Sequence, residues 1–374
     1  MKSSEGDISK VDEDYMKQAL RLARRGLGKT SPNPMVGAVI AKRNRVVGQG
    51  YHHYYGGKHA EIDAMENTRE DLSGTTLYVT LEPCCHYGKT PPCVDAIINN
   101  KISRVIVGTL DPNPRVHGRG VAILRQHGIE TKVGVLEREC RSMNEAHFKY
   151  MTTGLPLVTA KFAQTLDGRI ATSTGDSRWI SSPASRQMAH KLRALNDAVM
   201  VGVGAVLADD PELTVRLVKG RNPTRIILDS RLRIPLGAKV LTDKESALTV
   251  IATTSGADAK KIEALRQMCI EVLVIQEDAC GKVDLVHLLQ VLGQRNISSV
   301  LVEGGSEVIT SLLHQGLVDR LVAIVATKIM GKGIEAVGDL NITEVSQALK
   351  LVFTRIYRTG DDLVIEARLK REED

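Results

Sequence analysis

Leu81-Glu-Pro-Cys-Cys-His-Tyr-Gly-Lys-Thr-Pro-Pro-Cys93 follows an apolar run, Thr76–Leu81, and leads into Val94, Ile97 and Ile98. The run reads as a strand. Proline followed by apolar residues at helical spacing reads as the start of a helix over Pro92–Asn100. A strand, a cysteine loop and a helix in succession are one step of an α/β layer. Upstream stands His59-Ala60-Glu61 at the head of a second expected helix, His59–Asn67. His59, Cys84 and Cys93 are three soft ligands for Zn²⁺, and three protein ligands leave the fourth tetrahedral position open. A closed structural site would need a fourth ligand. Cys85 and His86 are the candidates, but Cys85 adjoins Cys84, and chelation by both would be strained. In the open site, zinc acidifies a bound water towards ~7. Glu61 would take the water's proton and return it to a leaving nitrogen. Residues two apart do not share a helical face, so the pair works only at the helix's first turn. Cys93 would sit on the first turn of its own helix, where the positive helix end favours thiolate. The chemistry is hydrolytic loss of ammonia from an amino-pyrimidine or amino-purine carbon, for which His-x-Glu with Pro-Cys-x-x-Cys is a known zinc signature. Here eight residues separate the cysteines instead of two.

Outward from this stretch the α/β pattern continues. Residues 1–11 read as a disordered lead-in. A helix starts near Asp12 or Asp14 and stops at Gly26. Val36–Ala41 and Val46–Gly50 form a hairpin. Strand Arg104–Thr109, helix Gly120–His127, strand Thr131–Val135 and helix Leu136–Tyr150 follow. A break at Thr152–Pro156 divides the chain into expected domains 1–150 and 151–374. The second alternation comprises strands Leu157–Ala163, Ala198–Val203, Arg225–Leu228, Leu248–Ala252, Val272–Ile275, Ser299–Val302 and Arg320–Ala326. Its expected helices are Ser182–Leu195, Asp284–Gly293 and Ser306–Gly316, and it closes with a hairpin, Leu351–Tyr357 and Asp362–Leu369. Both halves are α/β.

The chain has 374 residues, 43% apolar and 25% charged, and a formal charge of +6. Aromatics are 3%, so the cores are built from Val, Ile, Leu and Ala. No basic stripe interleaved with aromatics is present, which argues against nucleic acid as a partner. The small cationic excess reads as a solvated surface compatible with anionic small substrates. No run reaches the ~18 apolar residues of a membrane span, and residues 1–14 lack a signal-peptide pattern. Clustered cysteines then read as metal ligands in a reducing, cytoplasmic setting. In the second half no Gly-x-Gly-x-x-Gly follows an early strand. Val300-Leu-Val-Glu-Gly-Gly-Ser306 offers instead two glycines ahead of a helix N-terminus, a weak phosphate signal.

The cysteine stretch, Pro32-Asn-Pro-Met-Val-Gly37 upstream and Asp111-Pro-Asn-Pro114 downstream together resemble the riboflavin-biosynthesis deaminases of the RibD family. Lys161, Leu166-Asp-Gly168, Gly175–Ser182, Leu207–Thr214 and Val302–Ser306 resemble the reductase half of that bifunctional family. The resemblance runs from about Asp14 to Leu369, with Cys85 standing where serine is expected. It implies a cytidine-deaminase-like α/β/α sandwich followed by a dihydrofolate-reductase-like α/β domain, with zinc and NADPH as cofactors. It implies that Asn33, His86 and Lys89 line the deaminase pocket. In the second half it places Ala163, Trp179, Ala205, Asp209, Ser230 and Gly305, Ser306, Glu307, Val308, Ile309, Thr310 and Ser311 at NADPH. Ser177, Arg193, Leu213, Arg216 and Glu303 would contact a phosphoribosyl-pyrimidine, with Lys161 and Glu303 near the reacting carbon. Arginine suits the ribose phosphate because guanidinium binds it bidentately, and Arg231 is one candidate for the cofactor's 2′-phosphate. A homo-oligomer, dimer or tetramer, is expected. Two other readings stay open: a deaminase of another base with a tethered cofactor-binding domain, and a zinc-stabilised binding protein.

Overall fold

The computed structural model describes residues 9–88, 91–243 and 245–370. It divides at Gly154/Leu155 into two compact units.

The first unit runs α1 (Lys10–Ala23), β1 (Gly37–Lys42), β2 (Arg45–Tyr51), α2 (Ala60–Glu66), β3 (Thr76–Leu81), α3 (Cys93–Asn99), β4 (Arg104–Thr109), α4 (Arg119–Gln126), β5 (Glu130–Val133), α5 (Glu137–Met143) and α6 (Glu145–Thr153). Its sheet has the order β2-β1-β3-β4-β5. β1 is antiparallel to both neighbours; β3, β4 and β5 are parallel. Strand side chains alternate between faces, and here both faces are apolar. Ala38, Ile40, Leu77, Val79, Val105 and Val107 pack with residues of α2, α3 and α4. Val39, Tyr78 and Ile106 pack on the other side with Met16, Ala19 and Leu20 of α1 and Cys140 of α5. That makes three layers, α/β/α.

Two expectations are corrected. Helix α1 starts within the expected disordered lead-in, because the Ser9 side chain accepts the Asp12 N–H and caps it. The expected single helix Leu136–Tyr150 is interrupted at Asn144. The Asn144 side chain accepts the Met35 N–H at 2.8 Å and donates to the Met35 carbonyl at 2.9 Å. An asparagine engaged with a distant backbone marks the break.

The second unit runs β6 (Leu157–Thr165), β7 (Arg169–Thr172), α7 (Pro183–Leu195), β8 (Ala198–Gly202), α8 (Val203–Asp209), β9 (Thr224–Leu228), α9 (Lys239–Thr242), β10 (Thr249–Thr253), α10 (Ala259–Gln267), β11 (Glu271–Val274), α11 (Leu285–Gln294), β12 (Ser299–Glu303), α12 (Ser306–His314), β13 (Arg320–Ala326), β14 (Gly333–Glu335), β15 (Leu351–Thr359) and β16 (Asp362–Leu369). The main sheet has the order β11-β10-β9-β8-β12-β6-β13-β16-β15. Strands β11 through β13 in that order are parallel, and the terminal hairpin is antiparallel. Chain order reverses at β8, which has β9 on one side and β12 on the other. A crevice outside the carboxyl ends of strands at such a point is where open α/β sheets bind ligands.

Candidate active site

Helix α2 is pressed onto the hairpin by missing side chains. A Cβ on Gly50 would lie 2.3 Å from the Ala64 nitrogen, so only glycine lets α2 approach β2 so closely. This holds His59 at the N-cap and Glu61 in the first turn, as the His-x-Glu spacing requires. Cys93 opens α3. The loop between is held from below by Glu82. Its buried carboxylate accepts the N–H groups of Asp111 at 3.2 Å, Gly118 at 2.9 Å and Val121 at 3.2 Å. A Cβ on Gly120 would lie 2.2 Å from the Pro83 carbonyl, so α4 starts directly against the cysteine loop.

The candidate ligand atoms of His59, Cys84 and Cys93 lie within 4.8 Å of one another. His59 Nδ1 is 3.3 Å from Cys93 Sγ and 3.4 Å from Cys84 Sγ. A tetrahedral Zn²⁺ with ordinary bond lengths needs N···S edges of about 3.5 Å, so the three donors fit the ion. The Cys93 N–H points at Cys84 Sγ, 3.3 Å away. The helix end therefore stabilises the Cys84 thiolate, not that of Cys93 as its first-turn position suggested. The Cys93 thiol, the helix amide and His59 together hold Cys84 down to about 4 against burial, while Cys93 is pushed up by its neighbour's charge and by burial. His59 is pushed up to about 9 by its hydrogen bond to Cys84. The proton on this set is the one a soft cation displaces on binding. Glu61 is 3% exposed. Burial pushes its carboxyl up to about 7, against the opposing pull of His59, which is the range of a working general base.

Cys85 stays out of the triangle. Its thiol faces the Arg115 carbonyl at 3.7 Å and packs against the core. Asn33 Nδ2 is 3.2 Å from His52 Nε2. His52 is buried, donates through Nδ1 to the Lys58 carbonyl, and sets its ring edge against His59. It is the link between Asn33 and the ligand set that the sequence reading missed. His86 keeps a buried Nδ1 with no hydrogen-bond partner among the described residues. Lys89 lies outside the described residues.

In the second unit Lys161, in the middle of β6, meets Arg193 from the last turn of α7 and Glu303 at the end of β12. Arg193 Nε and Nη2 donate to the two oxygens of Glu303 at 2.7 and 2.8 Å, and Nη1 donates to the Thr214 carbonyl at 3.0 Å. Arg193 thus spends three N–H groups on Glu303 and Thr214, leaving one N–H on each of Nη1 and Nη2 for a ligand. Arg216 is half exposed, held by Glu212 at 2.8 Å and Thr214. Lys161 Nζ is 3.9 Å from Glu303, and burial lowers its pKa. Glu303 resists burial and is held down at about 2 by Arg193 and Lys161. His190, not singled out by the sequence, accepts the Arg216 N–H at Nδ1 (2.9 Å). Burial and the two arginines push it down to about 4. A histidine on a helix face gives no signal of this in the sequence.

Ser230, Glu307, Val308 and Ser311 line one cavity of about 320 Å³ with Gly202 and Gly204, at the point where strand order reverses. Helix α12 begins after Gly304 and Gly305, both at positive φ. Ile309 instead faces the core, and Thr310 donates to the Ser306 carbonyl. Ser177 donates to Asp209 at 3.2 Å. Leu213 is buried among the apolar residues under α8, with Ala205 packed against them. Ala163 packs at the β13/β16 face. Trp179 is exposed, with Arg186 over its ring at 4.4 Å.

Residues 9–109 match the cytidine and deoxycytidylate deaminase zinc-binding region, and residues 156–365 match the RibD C-terminal domain. The riboflavin biosynthesis protein RibD of Aquifex aeolicus is 47% identical over 96% of this chain and 98% of its own length. That of Escherichia coli is 38% identical over 95% and 98%. The Thermotoga maritima diaminohydroxyphosphoribosylaminopyrimidine deaminase/5-amino-6-(5-phosphoribosylamino)uracil reductase superposes with a TM-score of 0.84 at 39% identity, covering 96% of this chain and 99% of that one. Acinetobacter baumannii RibD gives 0.88 at 36% identity, covering 97% and 99%. The chain belongs to the RibD family of riboflavin biosynthesis, with a zinc-binding deaminase unit and an NADPH-dependent reductase unit on one polypeptide.

Proposed function

We propose that the unit ending near Gly154 deaminates the 2-amino group of 2,5-diamino-6-ribosylamino-4(3H)-pyrimidinone 5′-phosphate, and that the second unit reduces the product's ribosyl chain to ribityl. The observation that carries the first half is a three-ligand triangle with a buried carboxyl, Glu61, beside it. When bound, zinc supplies acidification of the attacking water. Glu61 takes the water proton and delivers it to the departing nitrogen, so that the amino carbon becomes a carbonyl and ammonia leaves. Asn33, tied to His52, is placed to orient the pyrimidine. In the second half NADPH, when bound, would supply the hydride for C1′ of the ring-opened imine, with a proton going to the adjacent nitrogen. Lys161 and Glu303 are assigned to that reacting carbon, Arg193 fixes Glu303, and Arg216, half exposed beside Glu212, is assigned to the sugar phosphate.

The test supplies the diamino substrate with NADPH and reads ammonia release and NADPH oxidation separately. Metal chelation should abolish ammonia release and leave reduction of supplied deaminated product intact. Loss of both together, or of neither, would refute the division of labour.

We also infer that the protein is a cytoplasmic homo-oligomer. Thiolate ligands suit a reducing compartment. Edge strand β15 exposes Val352, Phe353 and Ile356, each at least 47% open, and an apolar sheet edge of this kind calls for a covering surface. A second copy of the chain is the proposed cover. Sedimentation should show a dimer or larger species, and Phe353→Lys with Ile356→Lys should shift it to monomer. A monomeric unaltered protein would refute the assignment.

A further inference from the structure

We infer that Arg233, together with Arg231, reads the 2′-phosphate of the nicotinamide cofactor and so sets the preference for NADPH over NADH. The inference rests on the reading of the second unit as a nicotinamide-dependent reductase. It starts from the loop after β9, Asp229-Ser-Arg-Leu-Arg-Ile234. Asp229 is 1% exposed and accepts the Ile234 N–H at 2.8 Å, which closes the loop. Leu232 and Ile234 are 2% and 0% exposed and plug the apolar cluster beneath. Leu232 takes a φ of 52°, a conformation unfavourable for a bulky side chain that persists where its surroundings demand it. With 232 and 234 locked inward, Arg231 and Arg233 face outward, and both line the cavity at the reversal of strand order.

The charges around that cavity are unevenly committed. Lys282 pairs with Glu307. Asp278 accepts the backbone N–H groups of Cys280 and Lys282 at 2.8 and 2.9 Å. Arg231 donates to the Gly256 carbonyl at 3.0 Å, a neutral partner. Arg233 makes no hydrogen bond or ion pair among the described residues. Arg233 therefore brings to the cavity a guanidinium charge without a carboxylate of its own, whereas Arg231 has Glu277 nearby across Gly256. A carboxylate at a strand end holds the ribose diol of NAD, whereas a nearby arginine accommodates the 2′-phosphate of NADP. Asp229 also lines the cavity, but it is 1% exposed: Oδ2 accepts the Ile234 N–H, and Oδ1 is buried without a hydrogen-bond partner among the described residues. The groups presented to a ligand are the arginines, and guanidinium matches phosphate bidentately.

The experiment measures binding of NADP⁺ and NAD⁺ to the full-length protein by calorimetry, alongside NADPH and NADH oxidation. Arg233→Ala should weaken NADP⁺ roughly ten- to hundredfold, as loss of a charge-assisted contact does. NAD⁺ binding and ammonia release should stay unchanged, and Arg233→Lys should restore part of the NADP⁺ affinity. Because Arg233 is exposed, the variant is expected to fold. If NADP⁺ and NAD⁺ weaken equally, or neither changes, the assignment to the 2′-phosphate is overturned while the reductase reading stands. If the unaltered protein binds neither nucleotide, the assignment and the reading fall together.

Discussion

Replacing Glu61 by glutamine is expected to lower ammonia release by roughly 10²–10⁴-fold, the usual contribution of a positioned acid–base group. The two side chains have nearly the same shape, and Glu61 is buried in the first turn of α2. The amide fills the same space but cannot take a proton. Zinc stoichiometry should therefore stay at one per chain. Reduction of supplied deaminated product by NADPH should also be unaffected, since that chemistry belongs to the other unit. Steady-state release of ammonia from the diamino substrate is the measurement. Deamination retained at near the original rate would sink the proton-shuttle role.

The second large effect is expected from Glu303→Ala. Removing this carboxylate strands Arg193 and Lys161, whose side chains are 13% and 14% exposed. Breaking a buried ion pair by deleting one partner costs about 3–5 kcal/mol, and the reductase should lose its activity as well. The sign of the pH dependence follows from the depressed pKa. Glu303 titrates at about 2 in the folded protein against an ordinary 4.5. Its stabilising contribution is complete above 4.5 and is lost as pH falls through 2. Denaturant titrations should thus show the full gap between the variant and the unaltered chain at neutral pH, and a shrinking gap below pH 4.5. A gap independent of pH in that window would mean that the lost stability comes from packing and not from the charge.

Much of the deaminase site was legible because its chemistry is local. His59 and Glu61 share one helix start. Cys84 and Cys93 flank one loop, so strand, loop and helix signals placed them without knowledge of the fold. The strands of the second unit were equally readable, with Arg320–Ala326 and Asp362–Leu369 found at the same bounds. What escaped was long-range. Nothing in the sequence around Arg193 shows its bidentate pair with Glu303, 110 residues away. Glu82 gives no hint that it binds three amides from the segment beyond β4. Helix α8 was hidden because Val203-Gly-Ala-Val is a poor helix by propensity, and burial of Val203 and Val206 decides the matter.

The grip of Asn144 on Met35 gives the deaminase unit an order of assembly. The metal triangle is complete in the chain once residue 93 has been made. The segment bearing Asn33 meets His52 early, but its Met35 backbone is braced by a side chain 109 residues further on. Asn144 follows Cys93 by 51 residues, and at ribosomal speed that interval is roughly 3–10 s. A nascent chain can thus hold its cation before the loop that would meet the pyrimidine is tied down. Residues 9–109 contain every metal ligand and lack the fastener. A fragment cut there would carry the three ligands without the Glu82 clamp on Asp111, Gly118 and Val121 and without the Asn144 brace on Met35.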